Sequence, residues 1–430
     1  MWTQRLFGWM LLMTYVFLWS WGIGISRQPR LTLFRGIAWT ITLLSLILCL
    51  ELPAILKLVH WGLAFQKLTG DIQNLTWAYQ RDPELGFRRR PYDHWEGRMS
   101  SDIEFRWMMP PSIPDPLHFT YDRWGYRNTA DIEQADVMLL GDSYVEGWYV
   151  SDEQTTAGRL GARLGRSVVN LGVSGYGTLQ EFLVLKNDGI RFNPKVVILF
   201  FFEGNDLYDD HSFENYLLAP FSLEQTAVIP QRWAGDQGWT QRSFTFTALR
   251  RLRRLSNPIL PNNSPYFGRL AIPGQGEYTL YFAEYASKPW TDFEAGRWKK
   301  TRDTLAQVAE YSKAQGIHLL FTFIPIKFRV YQPFVKFDLD SPCRTWRVWP
   351  IAEMFLEFCQ SMGVPCLNLS EHFQEAVRVG GMPYSPVDSH WSPEGHDLVA
   401  QLLEKELHQR GWLLKTSTVY KSVVSDPTRK

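Results

Sequence analysis

The pattern of apolar residues separates an N-terminal part from the rest of the chain. Residues 6–25 carry no charge, and residues 36–56 form a second apolar run whose one charged residue, Glu51, stands near its end. A helix of about 20 apolar residues is long enough to cross a bilayer. The pattern therefore predicts two transmembrane helices in an anchor formed by residues 1–58, with a lipid bilayer as partner.

Charges and aromatic residues around these runs predict an orientation. The connector between the runs holds Arg27, Arg30 and Arg35, whereas Arg5 alone precedes the first run. Short arginine-rich loops stay in the cytoplasm, so both ends of the anchor would face outward, and tryptophans in or beside the runs would form an aromatic belt. The large domain would then be extracytoplasmic, at a bacterial inner or plasma membrane. Two alternatives are a cleaved signal peptide and two buried helices of a soluble core.

The periodicity changes after the anchor. Residues 59–80 predict a helical connector, and residues 81–130 form a loop-rich lead-in punctuated by prolines. Over residues 131–412, short apolar strands alternate with amphipathic helices, a pattern typical of an α/β domain with a parallel sheet covered on both faces. Residues 207–291 interrupt the alternation as an insertion with a candidate hairpin between residues 269 and 285. Residues 413–430 form a polar tail that we predict to be flexible.

Five strands and five helices are predicted within the α/β domain, enough for a doubly wound sheet. The strands are short and apolar and are followed by polar or glycine-rich residues: 136–140, 167–171, 196–202, 318–323 and 365–369. The helices have leucine or valine at helical spacing along one side: 155–164, 179–188, 293–314, 351–362 and 393–409.

Composition and charge exclude several partners. The 45 Lys and Arg residues and 44 Asp and Glu residues leave a net charge of +1, which gives no field to hold nucleic acid. Two basic runs, residues 88–90 and 250–254, are predicted to be solvated helix faces, with contact to anionic glycan or lipid head groups as the alternative. The four cysteines form no disulfide framework and lack the companions of a zinc site. We predict no metal and no cofactor.

Candidate chemistry follows the predicted strands, because parallel sheets bind ligands at the carboxyl ends of their strands. Gly141-Asp142-Ser143 comes directly after the first strand, where a tight glycine turn would present Ser143 as a nucleophile at the start of a helix. A serine hydroxyl needs a base that a carboxylate orients. Asp388 and His390 offer both groups, since residues two apart on an extended segment project to the same side.

Further polar groups at strand ends predict an oxyanion site. Gly172 follows the second strand and Asn205 follows the third. Their N–H groups, together with that of Ser143, would stabilise a tetrahedral oxyanion. Three aromatic residues near these motifs are candidate sugar contacts, with packing around the site as the alternative: Tyr144, Trp148 and Trp391.

These motifs in this order resemble the four sequence blocks of the SGNH/GDSL hydrolase superfamily over residues 135–410. The blocks correspond to Gly141-Asp142-Ser143, Gly172, Gly204-Asn205-Asp206 and the pair Asp388 and His390. The resemblance implies a flavodoxin-like three-layer fold with Ser143 as nucleophile, His390 as base and Asp388 as its orienter. It also implies an oxyanion hole that includes Gly172 and Asn205. The sequence departs from the family at the acid, which usually lies three residues before the histidine, where this chain has Val387.

The form Asp388-x-His390-Trp391 is similar to that of alginate O-acetyltransferase-type SGNH-like proteins, which acylate exported polysaccharide. The predicted function is a membrane-anchored serine esterase that acts on acyl, above all acetyl, esters of an envelope or exported polysaccharide. One alternative is an O-acetyltransferase with the same Ser–His–Asp site, supplied by a membrane acyl-donor protein. Another is a noncatalytic glycan-binding or assembly protein, for which the displaced acid is the sequence argument.

Overall fold

The structure is a computed structural model that describes residues 28–56, 58–59, 61, 64, 79–97, 101–107, 116–218, 243–256 and 264–413. The chain divides into two compact units, residues 1–65 with 236–253 and residues 66–235 with 254–430. The first predicted transmembrane helix, most of the predicted connector helix and residues 414–430 of the predicted tail lie outside the described residues.

The smaller unit contains one long apolar helix, α1 (Pro29–Ile55). Its most apolar window has a mean hydropathy of 2.0, most of its apolar side chains are exposed, and it is the one helix in the described ranges that is long and apolar enough to span a membrane. The helix begins at Pro29 and not at Gly36, because proline is well tolerated in a first helical turn. Arg30 and Arg35 therefore belong to this helix, which corrects the predicted connector between two spans.

Glu51 of α1 caps a second helix of the same unit, α7 (Phe244–Ser256). Its buried carboxylate accepts hydrogen bonds from Ser243 Oγ at 2.8 Å and from the N–H of Thr245 at 2.7 Å. These contacts satisfy donors that the first turn of a helix leaves without partners. Residues 236–253 thus belong to the N-terminal unit, although the sequence pattern placed them in an insertion of the α/β domain.

The larger unit is organised around a five-stranded parallel sheet, which confirms the predicted α/β class. The spatial order is β11-β10-β7-β5-β6, with the strands β5 (Val137–Leu140), β6 (Val168–Asn170), β7 (Val196–Phe202), β10 (His318–Ile324) and β11 (Cys366–Asn368). Every residue of the central strand β7 is buried. Its even-numbered residues enter one hydrophobic core and its odd-numbered residues enter the other, so both faces of the sheet are covered.

Helices form a layer on each face of the sheet. One layer contains α4 (Thr156–Leu164), α11 (Leu369–Arg378) and α12 (Pro393–Gln409), and the other contains α5 (Thr178–Asn187), α8 (Asp292–Ala314) and α10 (Ile351–Met362). Local signals explain several bounds. Thr155 and Ser392 cap the starts of α4 and α12, and α4 ends at Gly165, whose φ of 58° is left-handed.

Three further described helices and one hairpin surround the sheet of the α/β domain. The helices α3 (Ser143–Glu146), α6 (Asp206–Leu218), α9 (Lys327–Tyr331) and α11 were not predicted, and the first and third are too short to show a helical period. The antiparallel hairpin β8 (Phe267–Ile272) and β9 (Gly276–Tyr281) lies where the sequence suggested one.

The lead-in packs against the α/β domain within the same compact unit. It contains the pairs β1 (Tyr79–Asp82) with β2 (Gly86–Arg89) and β3 (His94–Gly97) with β4 (Leu117–Thr120), and the short helix α2 (Asp102–Trp107). Tyr79 and Phe87 are buried in one of the two sheet cores. The connector helix was predicted to extend to residue 80, but residues 79 and 80 belong to the strand β1. Arg89 is 0% exposed, so the prediction that residues 88–90 form a solvated helix face is wrong.

Candidate active site

Ser143 is the first residue of α3, which follows β5 along the chain. β5 lies beside the central strand β7. Asp142 caps α3, with its Oδ1 accepting from the N–H of Tyr144 at 3.0 Å. A Cβ on Gly141 would lie 2.4 Å from the Val145 side chain, so glycine is required for this tight turn. The turn places the Ser143 hydroxyl at the carboxyl end of the sheet, where ligands bind in such folds.

Three predicted side chains form a continuous chain of hydrogen-bonding contacts. His390 Nε2 lies 2.9 Å from Ser143 Oγ, and His390 Nδ1 lies 2.5 Å from Asp388 Oδ1. The same Asp388 oxygen accepts from the backbone N–H of His390 at 2.7 Å. An ionised Asp388 fixes the proton of the ring on Nδ1, which leaves Nε2 to accept the proton of the serine hydroxyl. A spacing of two residues thus brings the Asp388 carboxylate into contact with the His390 ring.

Burial and neighbouring charges have opposite effects on the pKa values of His390 and Asp388. Burial lowers the pKa of His390, but the negative charge and hydrogen bond of Asp388 and the charges of Asp102 and Asp142 outweigh it, so the net shift is upward. Burial raises the pKa of Asp388, but the positive charge of His390 and hydrogen bonds from His390 and Asp102 give a net shift downward. The site therefore favours an ionised Asp388 beside a histidine that readily takes a proton.

The backbone N–H of Gly172 already makes a hydrogen bond within the protein. Its N–H donates to Asn170 Oδ1 at 2.9 Å, which contradicts its predicted place as a free oxyanion donor. A Cβ at this position would lie 2.4 Å from the backbone N of Glu146, so Gly172 allows its loop to pack closely against α3. Gly175 of the same loop has a left-handed φ of 86°, and its N–H makes no hydrogen bond within the described part of the chain.

Asn205 lies directly after β7 and is held by the helix that follows it. Its Nδ2 donates to Asp209 Oδ2 at 2.5 Å, and its side chain is 9% exposed. Only one of the two amide hydrogens is needed for that contact. The Asn205 side chain therefore keeps one N–H donor at the edge of the sheet where Ser143 stands.

The predicted aromatic sugar platform is absent among the three residues proposed for it. Tyr144, Trp148 and Trp391 are 1%, 4% and 0% exposed. The Tyr144 hydroxyl donates to the Ser389 carbonyl at 2.7 Å, and its ring lies 4.9 Å from that of Trp391. A sugar can stack only on an exposed ring, so these side chains pack beneath the site and hold the His390 segment in place.

One group in the described ranges could in principle hold a metal ion: Asp102, Asp388 and His390. Protein donors already occupy the oxygens of this group. Asp388 Oδ2 accepts from the N–H of Asp102 at 2.9 Å, and Asp102 Oδ1 accepts from the N–H of Ser389 at 3.0 Å. These contacts account for the cluster as a hydrogen-bonded network of the protein itself.

Two residues that sequence reasoning missed surround the histidine segment. Asp102 comes from the lead-in, and Lys327 lies at the start of α9, where its Nζ donates to the carbonyls of Pro386 at 2.9 Å and Asp388 at 3.1 Å. Burial lowers the pKa of Lys327 to about 7. Neither residue belongs to a recognisable motif, and each is separated in the chain from the segment it contacts.

A buried acidic group lies beside the serine turn. Glu181 of α5 is 1% exposed, and neither of its carboxylate oxygens has a hydrogen-bond partner among the described residues. Burial, with further contributions from Asp142, Asp210 and Asp209, raises its pKa well above the usual range. Burial of Glu181 thus favours its protonated form in the folded protein.

Glu181→Gln is expected to stabilise the protein, and more so at pH 8 than at pH 5. An unfolded chain releases the Glu181 proton above about pH 4.5, whereas the folded protein retains it, so stability falls as the pH rises above that value. Glutamine has no such proton to lose. Thermal unfolding at both pH values measures the effect, which we expect to be a few degrees in Tm at pH 8.

The exposed variant Glu310→Gln on α8 serves as the control and should leave Tm unchanged at both pH values. A Glu181→Gln protein less stable than the wild type at pH 8 would show that Glu181 is ionised and paired in the folded state.

One family model and several solved structures are similar to this chain. The model of the GDSL-like lipase/acylhydrolase family matches residues 139–398. A search of curated proteins finds no match. Similar solved structures include a lipase/acylhydrolase from Enterococcus faecalis, with 12% identity, a TM-score of 0.34 and coverage of 65% of this chain and 97% of that one.

A catalytic mutant of an acetylxylan esterase from Geobacillus stearothermophilus shares 14% identity, with a TM-score of 0.32 and coverage of 66% of this chain and 99% of that one.

Proposed function

The chain belongs to the GDSL-like lipase/acylhydrolase family and is an ester-bond hydrolase, and from this premise we propose that it is a serine esterase with Ser143, His390 and Asp388 as its catalytic residues. The observation that carries the proposal is the contact chain from Ser143 Oγ through the His390 ring to Asp388, with separations of 2.9 and 2.5 Å. A serine hydroxyl becomes a nucleophile when a base within this reach takes its proton.

The reaction then has two acyl-transfer steps. Ser143 Oγ attacks the ester carbonyl while His390 Nε2 takes its proton, and the same proton passes to the leaving alkoxide. An acyl-Ser143 intermediate results. Water, activated by His390, attacks this intermediate and releases the acid. Asp388 keeps the ring in the required tautomer and stabilises the imidazolium that forms in each step.

The oxyanion of each step needs donors aimed at one point. We propose three donors: the N–H of Ser143, the first residue of α3, the second amide hydrogen of Asn205, and the N–H of Gly175. Gly175 takes the place predicted for Gly172, whose amide is bound to Asn170.

We further propose that the substrate is a short acyl ester, above all acetyl, of an envelope or exported polysaccharide. Ser143 is only 7% exposed, which favours a small acyl group, and the form Asp388-x-His390-Trp391 is similar to that of proteins that acetylate exported polysaccharide. That similarity also supports the alternative of an O-acetyltransferase supplied by a membrane acyl-donor protein, in which a sugar hydroxyl replaces water. The noncatalytic alternative loses its sequence argument, because Asp388 contacts His390 despite the altered spacing.

Two measurements test this proposal. The full-length protein in detergent is offered p-nitrophenyl esters of increasing chain length, and kcat/KM should be highest for acetate. A preference for longer acyl chains would remove the acetyl assignment. Mass spectrometry of acetylated and unacetylated oligosaccharides incubated together distinguishes release of acetate, expected for the esterase, from transfer to the second sugar, expected for the alternative.

Membrane anchoring is the remaining part of the proposal. α1 is long and apolar enough to span a bilayer, with exposed apolar side chains such as Trp39 and Leu44, and these features support a membrane location. Arg30 and Arg35 lie near its N-terminal end, and such arginines favour the cytoplasmic side, which supports a catalytic domain outside the cytoplasm. Protease added to intact spheroplasts should degrade the catalytic domain. Protection of that domain, with cleavage after lysis, would place it inside and reverse the proposed orientation.

The pH dependence of kcat/KM should reflect the environment of His390. The base must be neutral, and the charge of Asp388 raises the pKa of His390 above 6.5, so activity should rise with pH and reach half its plateau above pH 6.5. Initial rates on p-nitrophenyl acetate across pH 5 to pH 9 measure this value. Half-maximal activity below pH 6.5 would show that burial, and not the carboxylates, dominates at His390.

A further inference from the structure

The acid of the site is held by residues that lie outside the matched family region. Asp388 Oδ1 contacts the backbone N–H and the ring of His390, and Asp388 Oδ2 accepts a hydrogen bond from the backbone N–H of Asp102 at 2.9 Å. Asp102 belongs to the lead-in, whereas the family model begins at residue 139. Both oxygens of the acid are therefore fixed, the second of them by a segment that the family model does not include.

The Asp102 side chain makes hydrogen bonds with Ser389, the residue between Asp388 and His390. Its Oδ1 accepts from the N–H of Ser389 at 3.0 Å, and its Oδ2 accepts from Ser389 Oγ at 2.5 Å. One residue earlier, Ser101 Oγ donates to the Val387 carbonyl at 2.6 Å. Residues 101–102 thus contact three consecutive residues, 387–389, immediately before His390.

The contacting segment is held by its own hydrogen bonds and by a small hydrophobic cluster. Ser101 and Glu104 form reciprocal hydrogen bonds, with Ser101 N–H to Glu104 Oε2 and Glu104 N–H to Ser101 Oγ, both at 2.9 Å, which is the arrangement of a helix capping box. Ile103 is buried against Tyr281 of the hairpin, with Val387 packed beside it. Tyr281 N–H also donates to the Pro386 carbonyl at 2.8 Å.

We propose that Asp102 is a positioning residue of the active site, which holds Asp388 and Ser389 so that a carboxylate two residues before His390 can orient its ring. Asp388 Oδ1 contacts both the backbone N–H and the ring of His390, so a further contact to Oδ2 restrains the orientation of the carboxylate plane. Asp102 supplies that restraint. The inference rests on the proposed catalytic role of His390.

Asp102 also contributes charge to the site. Its negative charge raises the pKa of His390, although less than that of Asp388. Burial and the charge of Asp388 raise the pKa of Asp102 to about 6, so Asp102 is ionised above that pH, where the raised pKa of His390 lies. Asp102→Asn removes this charge and keeps the shape of the side chain, and it should therefore lower the pKa of His390, an effect that a purely structural residue would not have.

Four other ionisable groups face this region from neighbouring elements and keep their side chains in the variant: Asp142, Glu104, Lys327 and His396. The charge of Asp102 also raises the pKa of Lys327, so its loss should lower that pKa too.

The test compares the full-length wild type with Asp102→Asn and Asp102→Ala on p-nitrophenyl acetate. Asp102→Asn keeps the backbone N–H and a side-chain acceptor, so we expect a modest fall in kcat and a lower apparent pKa in the kcat/KM profile. Asp102→Ala also frees Ser389, and we expect kcat to fall by about 10- to 100-fold with KM nearly unchanged. Asp340→Asn, an exposed aspartate, is the control and should match the wild type.

Thermal unfolding of each variant separates positioning from folding. Folded Asp102→Ala with wild-type kcat, or Asp102→Asn with an unshifted pH profile, would overturn the inference. If Asp102→Ala fails to fold, the pH profile of Asp102→Asn still decides. A wild-type protein that neither hydrolyses the ester nor reacts with a fluorophosphonate would instead defeat the proposed function, so the two failures are distinguishable.

Discussion

Ser143→Ala and His390→Ala should each abolish covalent labelling by a fluorophosphonate and lower kcat for ester hydrolysis by about 10⁴- to 10⁶-fold. The probe reacts with a serine only when a base has activated it, and the contact of 2.9 Å between Ser143 Oγ and His390 Nε2 supplies that activation. Because the two residues act as one unit, the double variant should be no slower than either single variant.

The measurement uses the full-length protein in detergent, with gel fluorescence for labelling and unfolding temperature as the check on folding. Ser174→Ala is a suitable control, since Ser174 is buried in a neighbouring loop and lies outside the contact chain. Labelling that persists in folded Ser143→Ala would assign the nucleophile to another serine. Absence of labelling in the folded wild type would favour a glycan-binding role or a site completed by a membrane partner.

Arg89→Met should destabilise the protein by about 3 to 5 kcal/mol, because it leaves Glu146 as a buried charge without its partner. Arg89 Nε donates to Glu146 Oε1 at 2.8 Å, and both side chains are 0% exposed. Glu146 also accepts from the Tyr121 hydroxyl at 2.7 Å and from the N–H of Ser174 at 2.6 Å. Since Glu146 lies in α3 with Ser143, the lead-in strand that contains Arg89 supports the helix of the nucleophile.

Urea unfolding followed by circular dichroism measures this cost. The control is Arg163→Met, which breaks a partly exposed pair with Asp397 and should change stability by less than about 1 kcal/mol. Replacing both buried partners, as Arg89→Met with Glu146→Leu, should recover part of the loss, because no unpaired buried charge is left. Equal effects of the two single arginine variants would contradict the buried-pair argument.

The core of the α/β domain was predictable because its signal is local. The central strand, residues 196–202, and the helices at 351–362 and 393–409 have the predicted bounds, since a fully buried strand is a continuous apolar run and a helix shows its period over several turns. Short helices such as α3 and α9 were missed because four or five residues contain no period. The lead-in was harder still, since its four-residue strands mix polar and apolar side chains, whereas the equally short β5 is a continuous apolar run.

The sequence by itself determined the alternation of the five sheet strands with their longer helices, the long apolar helix, and the motif residues at strand ends, because each depends on neighbours along the chain. Tertiary structure alone decided which groups surround those motifs. Asp102 reaches Asp388, and Arg89 reaches Glu146, from segments distant in sequence. The tertiary structure also engages the N–H of Gly172 in a hydrogen bond with Asn170 and buries the ring of Trp391. Hydrogen bonding and burial depend on distance in space, and periodicity along a chain contains no information about that distance.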